Sequence, residues 1–169
     1  NQKLSLLILS SSPPPDIALT PGVQAWFSQE RNANIPVPWD PLAQQRYDNF
    51  LRALAMHTVD GVPLNQHPSL AVLNAGAGVI SSIRDPTDDG AVMRIRDMPG
   101  YSRAGFINAV LRGLHASTDN FPNKFRLLGF WTVQDTVQSP SLWEDVRQAI
   151  LAEFNGVNNP RVGFWQENL

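Results

Sequence analysis

Four short apolar segments of strand length, separated by helical patterns, constrain the fold of this chain more than any other feature. They cover Leu4–Leu9, Leu70–Leu73, Phe125–Val133 and Val162–Trp165. Apolar runs of this length that are bounded by turn residues are typical of buried strands. Strands that alternate with helices need right-handed crossover connections, which favour a parallel sheet with the helices outside it. The sequence therefore predicts an α/β protein.

Helical patterns fill most of the space between these segments. The three helices are predicted at about residues 41–57, 102–118 and 141–155. The first begins at Asp40-Pro41, an N-cap residue followed by proline at the first helical position. Residues 11–40 are rich in proline and, like residues 75–100, are predicted to form a long loop. The predicted order is β-loop-α-β-loop-α-β-α-β.

The loops are distributed asymmetrically along this order. Short turns precede the predicted strands, whereas the long loops follow them, as in a (β/α) barrel whose active face is built by the loops after the strands. A complete barrel has about eight strands, so we expect a TIM-barrel-like, partial (half) barrel. Residues 1–169 are then a single (β/α) domain or a segment of a larger barrel. Because open sheet edges expose unpaired backbone groups, we expect further barrel segments or a homo-oligomer to cover them.

The composition argues against several classes of partner. The net charge of −2 comes without a basic run, so a nucleic-acid partner is not expected. No apolar run approaches the roughly 20 residues that a membrane-spanning helix needs, so no membrane partner is expected. Cysteine is absent and the three histidines are isolated, so we expect no metal site, and we expect no cofactor. The cellular compartment is left undetermined.

A polar cluster follows each apolar segment. The clusters are Ser10–Ser12, Asn74-Ala75-Gly76, Gln134-Asp135 and Gln166-Glu167-Asn168. In parallel α/β proteins, ligands and catalytic groups collect at the carboxyl ends of the strands. Two of the clusters contain a carboxylate, so Glu167 and Asp135 are the candidate catalytic residues. The candidate substrate-binding residues are Trp131, Trp165, Asn74, Gln134, Trp39 and Arg84.

Each of these side chains also has a purely structural interpretation. Glu167 beside Asn168 could cap a following helix, and Asp135 could hold backbone amides in a turn. Tryptophans in strands are more often anchors of a core or an interface than platforms for a ligand. Trp39 could pin its loop while Asp40 caps the helix. These alternatives stay open at the level of the sequence.

A longer pattern carries a family resemblance. It consists of Ile35-Pro-Val-Pro-Trp-Asp-Pro41, the helix residues Tyr47, Phe50, Leu51 and Leu54, the turn His67-Pro68 and the strand Leu70–Leu73, followed by Gly100-Tyr101, Phe121-Pro122 and Phe125–Val133. In this layout, about residues 35–135 resemble glycoside-hydrolase-type TIM barrels. The resemblance implies a glycan or other small-molecule substrate and hydrolysis of a glycosidic bond between two carboxyl groups.

The chain departs from the resembled pattern at one point. Many such barrels carry a glutamate after a central strand, whereas the second strand here runs into Asn74-Ala75-Gly76. One hypothesis is therefore a carbohydrate-active hydrolase that uses Glu167 and Asp135. Another is a non-catalytic barrel module that binds glycan or serves as a structural part of a larger assembly. A third, an α/β enzyme of phosphorylated metabolites, depends on the turn Gly76–Gly78 as an anion site.

Overall fold

The computed structural model describes residues 3–8, 20–28, 32–75, 97–130, 142–156 and 159–166. The elements within these ranges are, in chain order, β1 (Leu4–Ile8), β2 (Ala25–Ser28), β3 (Ala33–Pro36), α1 (Pro41–Met56), β4 (Thr58–Val59), β5 (Val62–Pro63), β6 (Leu70–Ala75), α2 (Arg103–Asn120), β7 (Phe125–Phe130), α3 (Leu142–Phe154), β8 (Asn155–Gly156), β9 (Asn159–Pro160) and β10 (Val162–Gln166). The three predicted helices are present, and their ends lie within about two residues of the predicted ones.

Four of the strands form one parallel sheet. Their order across the sheet is β1-β6-β7-β10, and every neighbouring pair runs parallel. The order across the sheet is thus the order along the chain. The prediction of an α/β protein with a parallel sheet and alternating helices is confirmed. The described strands form an open sheet, and no barrel is closed among them.

The strands of this sheet begin at staggered levels. One register row crosses the sheet through Leu6, Leu73, Arg126 and Val162. This row passes through the third residue of β1, the fourth of β6, the second of β7 and the first of β10. A register shift between Leu4 and Ser5 explains the extra residue in β6. The strand β1 begins two residues before this row, whereas β10 begins on it. Across the sheet, the first residues of the strands are therefore displaced by two residues.

All three helices cover the same face of the sheet. The core cluster beside α1 contains Tyr47, Leu51, Ala55, Leu70, Leu73 and Phe121, and Leu6 and Ile8 of β1 pack against it. The core cluster beside α2 and α3 contains Phe106, Val110, Leu114, Leu128, Leu142, Val146, Ile150, Phe154 and Val162. Neighbouring helices also pack on one another, α1 on α2 and α2 on α3. The apolar stripes of the helices therefore share one core with alternate residues of the strands.

The other face of the sheet, here termed the open face, carries the residues that alternate with these. They include Ser5, Leu7, Val72, Phe125 and Leu127. Leu7 is 53% exposed and Phe125 is 39% exposed. The ring of Phe125 lies over β10, since a Cβ built on Gly163 would come within 2.8 Å of it. The open face is thus apolar but only partly covered.

Two hairpins correct the sequence prediction. Residues 11–40 were expected to form a loop, but β2 and β3 pair antiparallel, with Ala25 opposite Pro36. Pro36 is tolerated because β3 has a partner strand on one side only and ends at this residue. In the turn-rich connection after α1, β4 and β5 form a second hairpin around Asp60 and Gly61, which both have positive φ. Asp-Gly is a preferred sequence for such a two-residue turn.

The strands begin at one edge of the sheet, here termed the amino edge, where cationic side chains donate hydrogen bonds to backbone carbonyls. Arg126 is fully buried and donates to the Ser117 carbonyl at 2.6 Å, to the Ser117 hydroxyl, and to the carbonyls of Phe121 and Lys124. Burial, and then the neighbouring Arg161, lowers the pKa of Arg126 to about 10. The bonds offset the cost of burying a charge because they satisfy carbonyls at the end of α2 and in the turn after it.

Three further cations at the amino edge also donate to backbone carbonyls. Lys3 donates to Pro68 and Lys124 donates to His67, both at 2.8 Å. Arg161 makes longer bonds to the end of α2 and to the following turn, at 3.5 and 3.4 Å. Burial, and then the nearby Lys3, lowers the pKa of Lys124. The cations of this edge therefore hold the turns between helices and strands in place.

Candidate functional site

All four parallel strands end at the opposite edge of the sheet, here termed the carboxyl edge. Their last described residues are Ile8, Ala75, Phe130 and Gln166. Because neighbouring strands run in the same direction, the segments that follow them in the sequence start from this edge. Parallel α/β proteins carry their sites at this edge. The candidate site is therefore built from the strand ends, the starts of the helices and the β2–β3 hairpin.

Most of the predicted site residues lie outside the described residues. These are Glu167, Asp135, Gln134, Trp131 and Arg84. The turn Gly76–Gly78 lies outside them as well. Of Trp165 only the backbone is described, and it pairs with Gly129 between β10 and β7. The catalytic pairing of Glu167 with Asp135 therefore stays a prediction, and Asn74 and Trp39 are the predicted residues whose side chains are described.

Asn74 lies within a strand, whereas the sequence placed it after one. The strand β6 extends to Ala75, two residues beyond the predicted end at Leu73. Asn74 pairs in register with Leu7, and its side chain is half-buried. Alternation from the helix-facing Leu73 places it on the open face, close to the carboxyl edge. An amide at this position offers both a donor and an acceptor to a ligand that enters from the open face.

Asp40 has the structural role that the sequence predicted for it. One carboxylate oxygen accepts from the backbone N–H of Ala43 at 2.8 Å and caps α1. The other oxygen accepts from the backbone N–H of Gln24 at 2.9 Å. Since Gln24 directly precedes β2, one side chain ties the β2–β3 hairpin to the helix. Both oxygens are engaged in structure, so Asp40 is not a candidate catalytic carboxylate.

Trp39 lies between the starts of α1 and α2. Its ring meets Tyr101 edge-on, with centroids 5.6 Å apart and planes inclined at 65°. A Cβ on Gly100 would lie 3.4 Å from the indole nitrogen, and the positive φ of this residue also favours glycine. Trp39 also packs against a small cluster formed by Val37 and Met98. The side chain is half-buried, so it anchors the loop and still presents part of its surface at the carboxyl edge.

Two indole N–H groups near this edge are buried without a hydrogen-bond partner among the described residues. They belong to Trp39 and to Trp26 of β2, which both pack against the cluster of Val37 and Met98. A buried donor without an acceptor costs about 1–3 kcal/mol. The two donors are therefore a local cost of the packing around Val37 and Met98. Trp26 and Tyr101 were not in the predicted site set, because their proximity to Trp39 depends on the unpredicted hairpin and on the turn before α2.

Hydrogen bonds between neighbouring elements brace the carboxyl edge. The side-chain amide of Gln24 donates to the Pro99 carbonyl at 2.8 Å and so links the hairpin to the turn before α2. Arg103 in the first turn of α2 donates to Asp145 in the first turn of α3 at 2.6 Å. Together with the Asp40 bonds, these contacts join the hairpin and the starts of three helices into one rim.

A groove of about 190 Å³ lies elsewhere, between α1 and α2. Its lining includes Gln44, Tyr47, Asp48, Arg112, His115 and Asp119. Burial raises the pKa of Tyr47, so its phenol stays neutral. The groove belongs to the helix layer, and none of the predicted site residues lines it. It is therefore separate from the candidate site at the carboxyl edge.

The part of the chain that the structure describes holds no group of three or more histidine, aspartate or glutamate side chains able to bind a metal ion. None of the described helices is long and apolar enough to cross a membrane. Comparison of the chain with models of protein families, with curated proteins and with solved structures found no match.

Proposed function

We propose that this protein is a carbohydrate-active (β/α)-barrel protein, forming half of a TIM-like barrel, that hydrolyses glycosidic bonds at the carboxyl edge of its sheet. The observation that carries the proposal is the parallel strand order β1-β6-β7-β10, because all four strands, each with a polar cluster at or after its end in the sequence, end at one edge of the sheet. The glycoside-hydrolase-like layout of about residues 35–135 supports the same substrate class.

The catalytic pair in this proposal is Glu167 and Asp135. Asp135 follows β7 and Glu167 follows β10, and these two strands are direct neighbours in the sheet. Neighbouring strands lie about 4.8 Å apart, and glycosidases hold their two carboxyl groups about 5–10 Å apart. The spacing of the strands is therefore compatible with a glycosidase pair.

The reaction assigns one role to each carboxyl group. Asp135 in its acid form protonates the glycosidic oxygen as the bond from this oxygen to the anomeric carbon breaks. Glu167 either attacks the anomeric carbon itself or removes a proton from the attacking water. A water molecule finally supplies the hydroxyl group at the anomeric carbon, and both carboxyl groups return to their starting protonation states.

Aromatic and polar side chains bind the sugar in this proposal. Trp39, Trp131 and Trp165 offer apolar faces to sugar rings, and Asn74, Gln134 and Arg84 bond to hydroxyl groups. Trp39 is half-buried at the carboxyl edge and is the tryptophan of this set whose side chain is described.

A second candidate function is glycan binding without hydrolysis. The observation that favours it is the end of β6, where Asn74 and Ala75 stand in place of the glutamate that many glycoside-hydrolase barrels carry after a central strand. Such a module would use the same carboxyl edge, either to bind glycan or as a structural part of a larger assembly.

Hydrolysis and binding assays separate the two functions. The protein is incubated with a panel of polysaccharides and oligosaccharides, and released reducing ends are measured beside glycan affinity. Glu167→Gln and Asp135→Asn are expected to lower the hydrolysis rate by roughly 10²–10⁴ while glycan affinity is kept. Asp60→Asn, an exposed carboxylate in the β4–β5 turn, is the matched control and should leave the rate unchanged. Glycan binding without hydrolysis would favour the module, and the absence of both activities would contradict both functions.

A further inference from the structure

The outer strands of the sheet, β1 and β10, each have a free side among the described residues. Their sequences, Leu-Ser-Leu-Leu-Ile and Val-Gly-Phe-Trp-Gln, contain neither a charged residue nor a proline. Proteins usually protect exposed sheet edges with charges or prolines, because an unprotected edge pairs readily with another strand. Both edges of this sheet are therefore suited to pairing.

The open face beside these edges is also unprotected. Leu7 of β1 is 53% exposed, and Phe125 of β7 is 39% exposed. Within the described ranges, the three helices pack on the opposite face. Parallel sheets are normally covered on both faces. A partner that covers the open face would thus bury apolar side chains at the same time as it pairs with the edges.

The stagger of the strands indicates the shape that such a partner completes. A barrel of about eight strands and a shear of about eight displaces the register by about one residue per strand. Here the strand starts move by two residues over the steps from β1 to β10. Three steps of such a barrel give about three residues, so the observed displacement has a similar size, and the four described strands of the sheet are half of the eight.

We propose that a second copy of this chain supplies the other half of the barrel. In the dimer, β1 of each copy pairs in parallel with β10 of the other, and the two open faces form the barrel interior. A second copy fits because one chain offers both kinds of free edge, and because a two-fold axis along the barrel forms both strand pairs at once. The carboxyl edges of both copies then share one ring, so each copy supplies half of the rim of the site.

This inference rests on the barrel architecture of the proposed function and not on its glycan chemistry. Its first test is the mass of the protein in solution, measured by sedimentation equilibrium over a wide range of concentrations. We expect a dimer that dissociates on dilution. Leu7→Lys puts a charge into the barrel interior and is expected to give a monomer with an unchanged helical circular-dichroism spectrum. Met56→Lys, on a residue of α1 that is 62% exposed, is the matched control and should stay dimeric.

A milder variant and a cross-linking assay complete the test. Leu7→Ser should raise the dimer dissociation constant even if the lysine variant fails to fold. Because the chain has no cysteine, Ser5→Cys introduces a single thiol on β1. In the barrel the two β1 strands lie on opposite sides, too far apart for a disulfide, which requires Cα atoms within about 7 Å. A dimer through paired β1 edges would instead cross-link.

A monomer at every concentration, a dimer that both Leu7 variants leave intact, or a Ser5→Cys disulfide dimer would overturn the proposal. None of these measurements uses glycan hydrolysis as its readout. A monomeric protein that hydrolyses glycan would contradict the dimer alone, and a dimer without glycan activity would contradict the proposed function alone.

Discussion

The two edges of the parallel sheet differ in how their polar groups are bonded. At the amino edge, four cations donate to backbone carbonyls, and the buried Arg126 alone has four acceptor atoms. At the carboxyl edge, the indole N–H groups of Trp26 and Trp39 are buried without an acceptor among the described residues. The amino edge is thus held by cations on backbone carbonyls, whereas the carboxyl edge combines the bonds of Asp40, Gln24 and Arg103 with two buried donors that lack a described acceptor. In parallel α/β proteins, sites commonly lie at the carboxyl edge, and residues at the opposite edge serve stability.

Arg126→Leu, at the amino edge, is expected to lower the free energy of unfolding more than the other variants that test this comparison. Loss of the guanidinium leaves three carbonyls and the Ser117 hydroxyl without this donor in a buried place. We expect the free energy of unfolding to fall by about 3 kcal/mol or more, measured by chemical denaturation. Arg112→Leu, an exposed arginine on α2, is the matched control and should change it by less than about 0.5 kcal/mol. Similar effects for the two variants would break the comparison between the edges.

Substitution of Asp40, in the rim of the carboxyl edge, is expected to lower the free energy of unfolding by a smaller amount. Asp40→Ala removes the N-cap of α1 and the bond from Gln24, so the free energy of unfolding should fall by about 1–2 kcal/mol. Asp40→Asn can still accept from Ala43, but its NH2 group faces the Gln24 N–H, which is also a donor. The asparagine variant should therefore lie between the wild type and the alanine variant in thermal unfolding. An asparagine variant as unstable as the alanine variant would contradict the assigned N-cap role.

Substitution of Glu144, in the first turn of α3, is expected to change the stability least. Hydrogen bonds from Arg147 and then Gln148 lower the pKa of this carboxyl from 4.5 to about 2. Because the folded-state pKa lies below the unfolded one, the stabilisation is present above about pH 4.5 and is lost as the pH falls towards about 2. The difference in Tm between the wild type and Glu144→Gln should shrink over this interval. A Tm difference that is the same at pH 2 and at pH 7 would contradict a stabilising role of the Glu144 charge in α3.

The element order and the helix bounds could be predicted because both follow from local patterns. The start of α1 follows from Asp40-Pro41, and the apolar stripes of the helices are visible in the sequence. The hairpin β2–β3 does not follow from local patterns, because the proline content of residues 11–40 favours a loop. The hairpin β4–β5 could have been found from Asp60-Gly61, whose preference for a two-residue turn is a local property.

The contacts of the amino edge could not be predicted from the sequence, whereas the position of the polar clusters at the carboxyl edge could. Arg126 lies inside an apolar strand, and its role depends on carbonyls at the end of α2, a contact that local spacing cannot show. For the candidate site, the sequence predicts which edge carries the polar clusters, because strand direction follows from the alternation of strands and helices. Side-chain proximity does not follow in the same way. Trp39, Tyr101 and Gly100 meet because two helix starts pack together, which is a tertiary contact.

The contact between Phe125 and Gly163 has a consequence for sequence variation. A Cβ at position 163 would come within 2.8 Å of the Phe125 ring and 3.4 Å of the Leu127 side chain. Positions 125 and 163 are therefore coupled, and a larger residue at 163 would be tolerated only together with a smaller one at 125. In an alignment of relatives, this pair should covary even though the two residues are far apart in the chain and neither is predicted to bind a ligand.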